Sequence, residues 1–175
     1  NHDRWETLQK ISTINETAFQ KAFPEKYKTQ KLFCEKHIKK SHRTGIYTAL
    51  TSNQYKEEET EHMSFHIDKG NTKFGFTSMC VFRVGKYKGA YLIFPRWEVA
   101  VDVDDGDIIL ANSSQIHGVS QIIGYGTRLS CVAYCDDGLA TMGSLGNNKM
   151  WLLEFFISIF GFTSLMDLHT WAVKF

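Results

Sequence analysis

The stretch from Gly89 to Tyr134, GAYLIFPRWEVAVDVDDGDIILANSSQIHGVSQIIGYGTRLSCVAY, decides the fold. Short apolar and β-branched runs are broken by turn chemistry at Asp104-Asp105-Gly106-Asp107 and at Gly124-Tyr125-Gly126. The runs predict strands over 90–95, 99–103, 107–111, 118–123 and 128–134. The same texture reaches back to Gly45, with strands expected over 46–52, 62–67 and 76–84. Lys69-Gly70-Asn71 and Gly85-Lys86-Tyr87-Lys88-Gly89 read as the turns between them. Short strands in series, without helices between them, predict a sandwich or jelly-roll barrel. No internal repeat is visible.

The flanks are different material. Residues 1–44 read as a helical, basic support. Leu8, Ile11, Ile14, Ala18, Phe19, Ala22 and Phe23 recur at helical spacing, and Pro24 ends or kinks that helix. Lys36, His37, Lys39, Lys40, His42 and Arg43 form the basic run of the chain. It reads as a solvated helix face or as a patch for phosphates. With 20 Lys+Arg against 19 Asp+Glu, the net charge is +1, so no global field draws the chain to nucleic acid or to an acidic membrane. A nucleic-acid role therefore needs a local patch. Residues 137–175 open as a polar, glycine-rich loop and continue as an apolar stretch over 150–166, interrupted by Glu154 and Gly161. A membrane span needs about 20 apolar residues, so no span is expected. Packing on the core is the first reading, a partner interface the second and membrane association a distant third. A chain of 175 residues suits one domain, with 45–136 as its core: mainly β with flanking helices.

Cys34, Cys80, Cys131 and Cys135 match no C-x-x-C pair and no zinc spacing. They read as buried reduced thiols, with Cys131 and Cys135 on one face of a strand. A reducing intracellular compartment, nuclear or cytoplasmic, is expected. Asn15-Glu16-Thr17 and Asn112-Ser113-Ser114 match the glycosylation sequon, a pattern that also arises by chance. Of the remaining histidines, His62 and His66 are spaced as in zinc proteases, but Met63 stands where that motif needs Glu. His2, His37, His42 and His169 read as surface or packing residues.

One constellation carries chemistry. His66-Ile67-Asp68 ends a predicted strand, and His117 opens another. At a strand end, residues i and i+2 share a face, so His66 and Asp68 can reach one metal. His117 from a neighbouring strand completes two imidazoles and one carboxylate, the facial set of non-haem Fe(II) oxygenases. Arg128-Leu129-Ser130 follows in the last strand. An inward Arg128 offers a planar fork for a carboxylate, and Ser130 faces the same way. A dicarboxylate such as 2-oxoglutarate would span the site, with its keto-acid end on the metal and its far carboxylate on Arg128. A buried arginine without an anionic partner costs several kcal/mol, so an inward Arg128 implies such a ligand.

Five segments carry a family likeness: Phe65-His66-Ile67-Asp68-Lys69-Gly70-Asn71, Gly89-Ala90-Tyr91-Leu92-Ile93-Phe94-Pro95, the run from Val101 to Leu110, His117-Gly118-Val119, and Gly126-Thr127-Arg128-Leu129-Ser130. Through them residues 48–134 resemble the double-stranded β-helix core of Fe(II)/2-oxoglutarate dioxygenases, and most of all the TET/JBP group. That group oxidises the methyl group of 5-methylcytosine or thymine in nucleic acid. The resemblance implies iron on His66, Asp68 and His117, 2-oxoglutarate on Arg128 and Ser130, and dioxygen as co-reactant. DNA-oxidising members tend to carry an acidic residue three positions after the metal aspartate; here Asn71 stands there and would face the base. Asp136 is a further expected pocket residue, and the basic run the expected phosphate contact. Two rival readings stand beside this one: a hydroxylase of protein side chains or small molecules, and a non-catalytic barrel that binds a modified base or a protein partner.

Overall fold

The computed structural model describes residues 2–56, 64–72, 75–139 and 170–174. The apolar stretch 150–166, most of the loop preceding it, and His62 lie outside them.

Two helices open the chain, α1 (His2–Ala22) and α2 (Pro24–His37). The first helix stops at Ala22, just before Pro24 as expected, and Pro24 also opens the second, because its fixed φ and missing N–H suit a first helical turn. The buried face of α1 also departs from the apolar spacing. Ser12, Asn15 and Phe19 are buried, while Ile14 is 56% exposed. Polar anchors choose the face: Ser78 Oγ donates to Asn15 Oδ1 at 2.7 Å, and Ser12 and Thr44 share a hydroxyl hydrogen bond of 2.8 Å. On α2, Tyr27, Gln30 and Cys34 turn inward. The Gln30 amide donates to Ile46 O and accepts from Phe76 N, both at 3.1 Å, so it ties the helix to two neighbouring segments.

The β part is a pair of antiparallel sheets. Strands β1 (Ala49–Lys56), β2 (Thr77–Gly89), β5 (Ile108–Ala111), β7 (Ile122–Tyr134) and β8 (Thr170–Lys174) form one sheet in the order β5-β2-β7-β1-β8. Strands β3 (Leu92–Phe94), β4 (Val99–Val101) and β6 (Gly118–Val119) form the other, in the order β4-β3-β6. This is the jelly-roll arrangement the sequence predicts. Alternation along β7 divides the interior. Cys131, Ala133 and Cys135 join Phe19, Tyr27 and Ile38 in the helix-facing core, while Arg128, Ser130, Val132 and Tyr134 face the space between the sheets. A second cluster, including Val81, Leu92, Phe94 and Val119, packs the two sheets together. All four cysteines are buried and free. No helix among the described residues is long and apolar enough to cross a membrane.

Two expected turns are not turns. Gly85–Gly89 lies inside β2 and Gly124–Gly126 inside β7, and they pair with each other: Gly85 with Gly126, Lys86 with Tyr125, Tyr87 with Gly124. The glycines allow close approach instead of chain reversal. A Cβ on Gly126 would fall 2.5 Å from Tyr87 Cδ1 and 2.7 Å from Val84 O. The expected strand 62–67 is also corrected over its described part, where pairing is limited to a single bridge between His66 and His117.

Candidate metal centre and its cavity

The bridge between His66 and His117 builds the centre. His66 N donates to His117 O at 2.9 Å, and His117 N donates to His66 O at 3.0 Å. That reciprocal pair sets the two rings side by side, with centroids 4.5 Å apart. Each ring also turns back on its own chain: His66 Nδ1 lies 2.8 Å from Ser64 O, and His117 Nδ1 lies 2.9 Å from Gln115 O. A carbonyl oxygen only accepts, so each Nδ1 is the donor there, and each Nε2 is the ring nitrogen left to face Asp68. Asp68 is held by its N–H donating to Ser113 O at 3.0 Å. Its Oδ1 stands 3.5 Å from His66 Nε2 and its Oδ2 3.9 Å from His117 Nε2. The three ligand atoms lie within 4.8 Å of one another. Ligands about 2 Å from one metal stand roughly 3 Å apart, so small side-chain adjustments would close the set. Two imidazoles and one carboxylate on one side of a cavity fit Fe(II) with open positions.

The cavity measures about 270 Å³, and His66, Asp68, His117, Asn71, Arg128 and Ser130 all line it. Arg128 is 1% exposed, and its Nε is buried without a partner. Its Nη2 reaches the Met79 sulfur at 3.7 Å, and no carboxylate pairs with it among the described residues. Burial pulls its pKa down from the ordinary arginine value. A desolvated cation facing a cavity calls for an anion. Ser130 is 1% exposed on the same face of β7.

The remaining expected residues separate. Asn71 lines the cavity, and its Nδ2 donates to the hydroxyls of Thr77 and Ser113. Asp136 bridges Asn71 through the backbone, but its side chain does not line the cavity. Its Oδ1 accepts from Gly138 N at 2.8 Å, so the carboxylate closes the local turn. The basic run sits with the helical layer. Ile38 anchors it in the helix-facing core, and Arg43 bonds to Ile38 O and Gly45 O. Two other cations join segments that carry the candidate ligands: Lys69 follows Asp68 and lines the cavity, and Arg96 Nη1 donates to Gln115 Oε1, two residues before His117, at 3.2 Å. Sequence reasoning missed Thr51 and Asn53, which line the cavity from β1, with Asn53 paired to Ser130 in register. The signal for them is faint: polar residues at alternate, inward positions of an otherwise plain strand.

No family model matches the chain. Among curated proteins, the bifunctional helicase and thymine dioxygenase JBP2 of Trypanosoma brucei brucei is 35% identical over 77 residues, which is 42% of this chain and 7% of that protein. JBP2 of Trypanosoma cruzi is 23% identical over 132 residues, which is 74% of this chain and 11% of that protein. The chain thus spans a small fraction of either relative. Among solved structures, NgTET1 in complex with 5mC DNA shares the fold, with a TM-score of 0.55 and 19% identity over 65% of this chain and 43% of that one. In sequence and in fold, the chain resembles the TET/JBP-type base dioxygenases.

Proposed function

We propose that the chain is an Fe(II)- and 2-oxoglutarate-dependent dioxygenase that oxidises the methyl group of a DNA base of the 5-methylcytosine or thymine type. One observation carries the reading: a buried guanidinium without an anion, Arg128, faces the same cavity as the His66, Asp68 and His117 donor atoms. Bound iron and 2-oxoglutarate would supply dioxygen activation, with succinate and CO2 as the by-products. The chain's own residues do the rest. His66, Asp68 and His117 would hold the metal at the wall of the cavity. Arg128 and the Ser130 hydroxyl take the far carboxylate, which sets the direction of the cosubstrate. Thr77 and Ser113 hold the Asn71 amide nitrogen, so its carbonyl oxygen would be the group left to accept from a base edge.

The names of the relatives support the base reading, since both curated relatives are thymine dioxygenases and the solved neighbour was captured with 5mC DNA. A base in a duplex must leave the stack, at a cost of a few kcal/mol. Phe65 and Ile116, beside the two metal histidines, are 57% and 48% exposed, and Trp97 is 52% exposed. The Trp97 ring lies tilted against Phe94 with centroids 5.4 Å apart, and Phe94 in turn lies 6.1 Å from the His117 ring. These groups offer stacking surface at the centre, and Lys69 and Arg96 offer phosphate contacts. A second reading, hydroxylation of protein side chains or small molecules, draws on the net charge of +1 and on a cavity lining to which no residue of the basic run belongs.

Mass spectrometry of nucleosides from methylated DNA, incubated with the protein, Fe(II) and 2-oxoglutarate, tests the proposal. Hydroxymethyl, formyl or carboxyl bases are the expected products. Succinate release without any base product would favour the second reading. A protein that binds neither iron nor 2-oxoglutarate would defeat both.

A further inference from the structure

A second chemically distinctive pair lies on the helix-facing side of the five-stranded sheet. Cys34 on α2 and Cys135 just beyond β7 bring their sulfurs to 3.3 Å, across 101 residues of sequence. They are 0% and 2% exposed. Cys34 Sγ donates to Ile46 O at 3.2 Å, which leaves Cys135 as the donor to Cys34. That hydrogen bond, with burial behind it, raises the Cys135 pKa and keeps its thiol protonated. The other two thiols, Cys80 and Cys131, oppose each other in register between β2 and β7, and no hydrogen bond joins their sulfurs among the described residues.

We propose that Cys34 and Cys135 form a redox-modification site that a peroxide oxidant closes into an intramolecular disulfide. The two S–H bonds and the peroxide O–O bond break; one S–S bond and two O–H bonds form, and two waters leave. The sulfurs are oxidised and the peroxide oxygens reduced. A disulfide needs about 2.05 Å between sulfurs, so closure from 3.3 Å asks for a shift that side-chain torsions can share. Oxidant reaches the pair when α2, held along one face, opens locally, so the reaction is slow. Once one sulfur is oxidised to the sulfenic acid, the second thiol is already in contact and captures it ahead of further oxidation. The bond would tie α2 to the chain beside the metal loop, because Cys135 O accepts from Thr72 N at 3.0 Å and Asn71 bridges Asp136. This site does not depend on the catalytic reading.

The test treats the folded, reduced full chain with graded hydrogen peroxide and maps its peptides without reduction. The expected result is a linked pair of peptides holding Cys34 and Cys135, an intact mass lower by two hydrogens, and a Tm higher by roughly 5–10 °C that a dithiol reductant reverses. Cys131→Ser should leave the link in place, and Cys34→Ser or Cys135→Ser should remove it. If either of the last two fails to fold, the wild-type map still decides. The proposal falls if both thiols stay free, if they end as sulfinic or sulfonic acids, if they link to Cys80 or Cys131, or if the link lowers the Tm.

Discussion

At the scale of single residues, Arg128 states the chemistry most sharply. A guanidinium that is 1% exposed, with an orphaned Nε, is unfavourable in the free protein and becomes an asset when a carboxylate arrives. Two outcomes follow in opposite directions. Arg128→Met should raise the stability of the ligand-free protein by about 1–2 kcal/mol in denaturant melts, because it removes a desolvated charge. Arg128→Ala should raise the 2-oxoglutarate KM by roughly 30–100-fold, the loss of a charge-assisted pair, while Fe(II) affinity stays within about twofold. Equal losses in both affinities would make Arg128 a structural residue instead. Asp68→Ala should abolish turnover and Fe(II) binding, with a circular dichroism spectrum like that of the parent. Their placement together on one cavity was legible in the sequence, because an H-x-D spacing and an R-x-S pair report side chains that share a strand face. Asp136 was not. Its carboxylate closes its own turn at Gly138, a preference no spacing argument ranks against cavity lining.

At the scale of elements, the paired glycine segments of β2 and β7 are the clearest lesson. A glycine-rich stretch is a turn signal when read alone, yet two such stretches here meet across a ladder. Gly126→Ala should cost about 2 kcal/mol, since the added methyl meets Tyr87 and the Val84 carbonyl and the backbone oxygen cannot move aside. Thermal melts of the variant would check this, and an unchanged Tm would mean the ribbon flexes. The interface between α2 and the sheet carries a pH dependence. Burial, with the Glu16 hydrogen bond second, pushes Tyr27 up to about 12, and burial pushes Cys131 up to about 11. Both groups are neutral when protonated, and both hold their proton more tightly folded than unfolded. Their contribution is complete below the unfolded values, near 9 and 10, and is lost as pH rises through 11 and 12. Melts from pH 8 to 12 should therefore show stability falling from about pH 9 upward, and Tyr27→Phe should flatten the upper part of that fall.

At the scale of the whole molecule, the five-stranded sheet separates two territories. The helices, the basic run and the thiol pair sit on one side; the candidate metal ligands, Lys69 and the buried arginine sit on the other. Charge reversal of Lys36, Lys39 and Lys40 together should leave DNA oxidation within about twofold, whereas Arg96→Glu should weaken DNA binding several-fold and flatten its salt dependence by about one unit of slope. Binding titrations at several salt concentrations separate the two cases. The reverse ranking would put the DNA across the helical layer. What the sequence by itself determined is local: strands with inward and outward positions, a histidine and an aspartate two residues apart with donor atoms on one side, and an arginine and serine on one face. Those follow from the two-residue period of a strand and from the donor chemistry of each side chain. What only the tertiary structure decided is relational: which glycine segment pairs with which, which face of α1 is buried, which side of the sheet carries the basic run, and which cysteines touch. Each of these depends on partners distant along the chain, brought together by strand register and by polar anchors such as Asn15 with Ser78, whose strength appears only when both are buried.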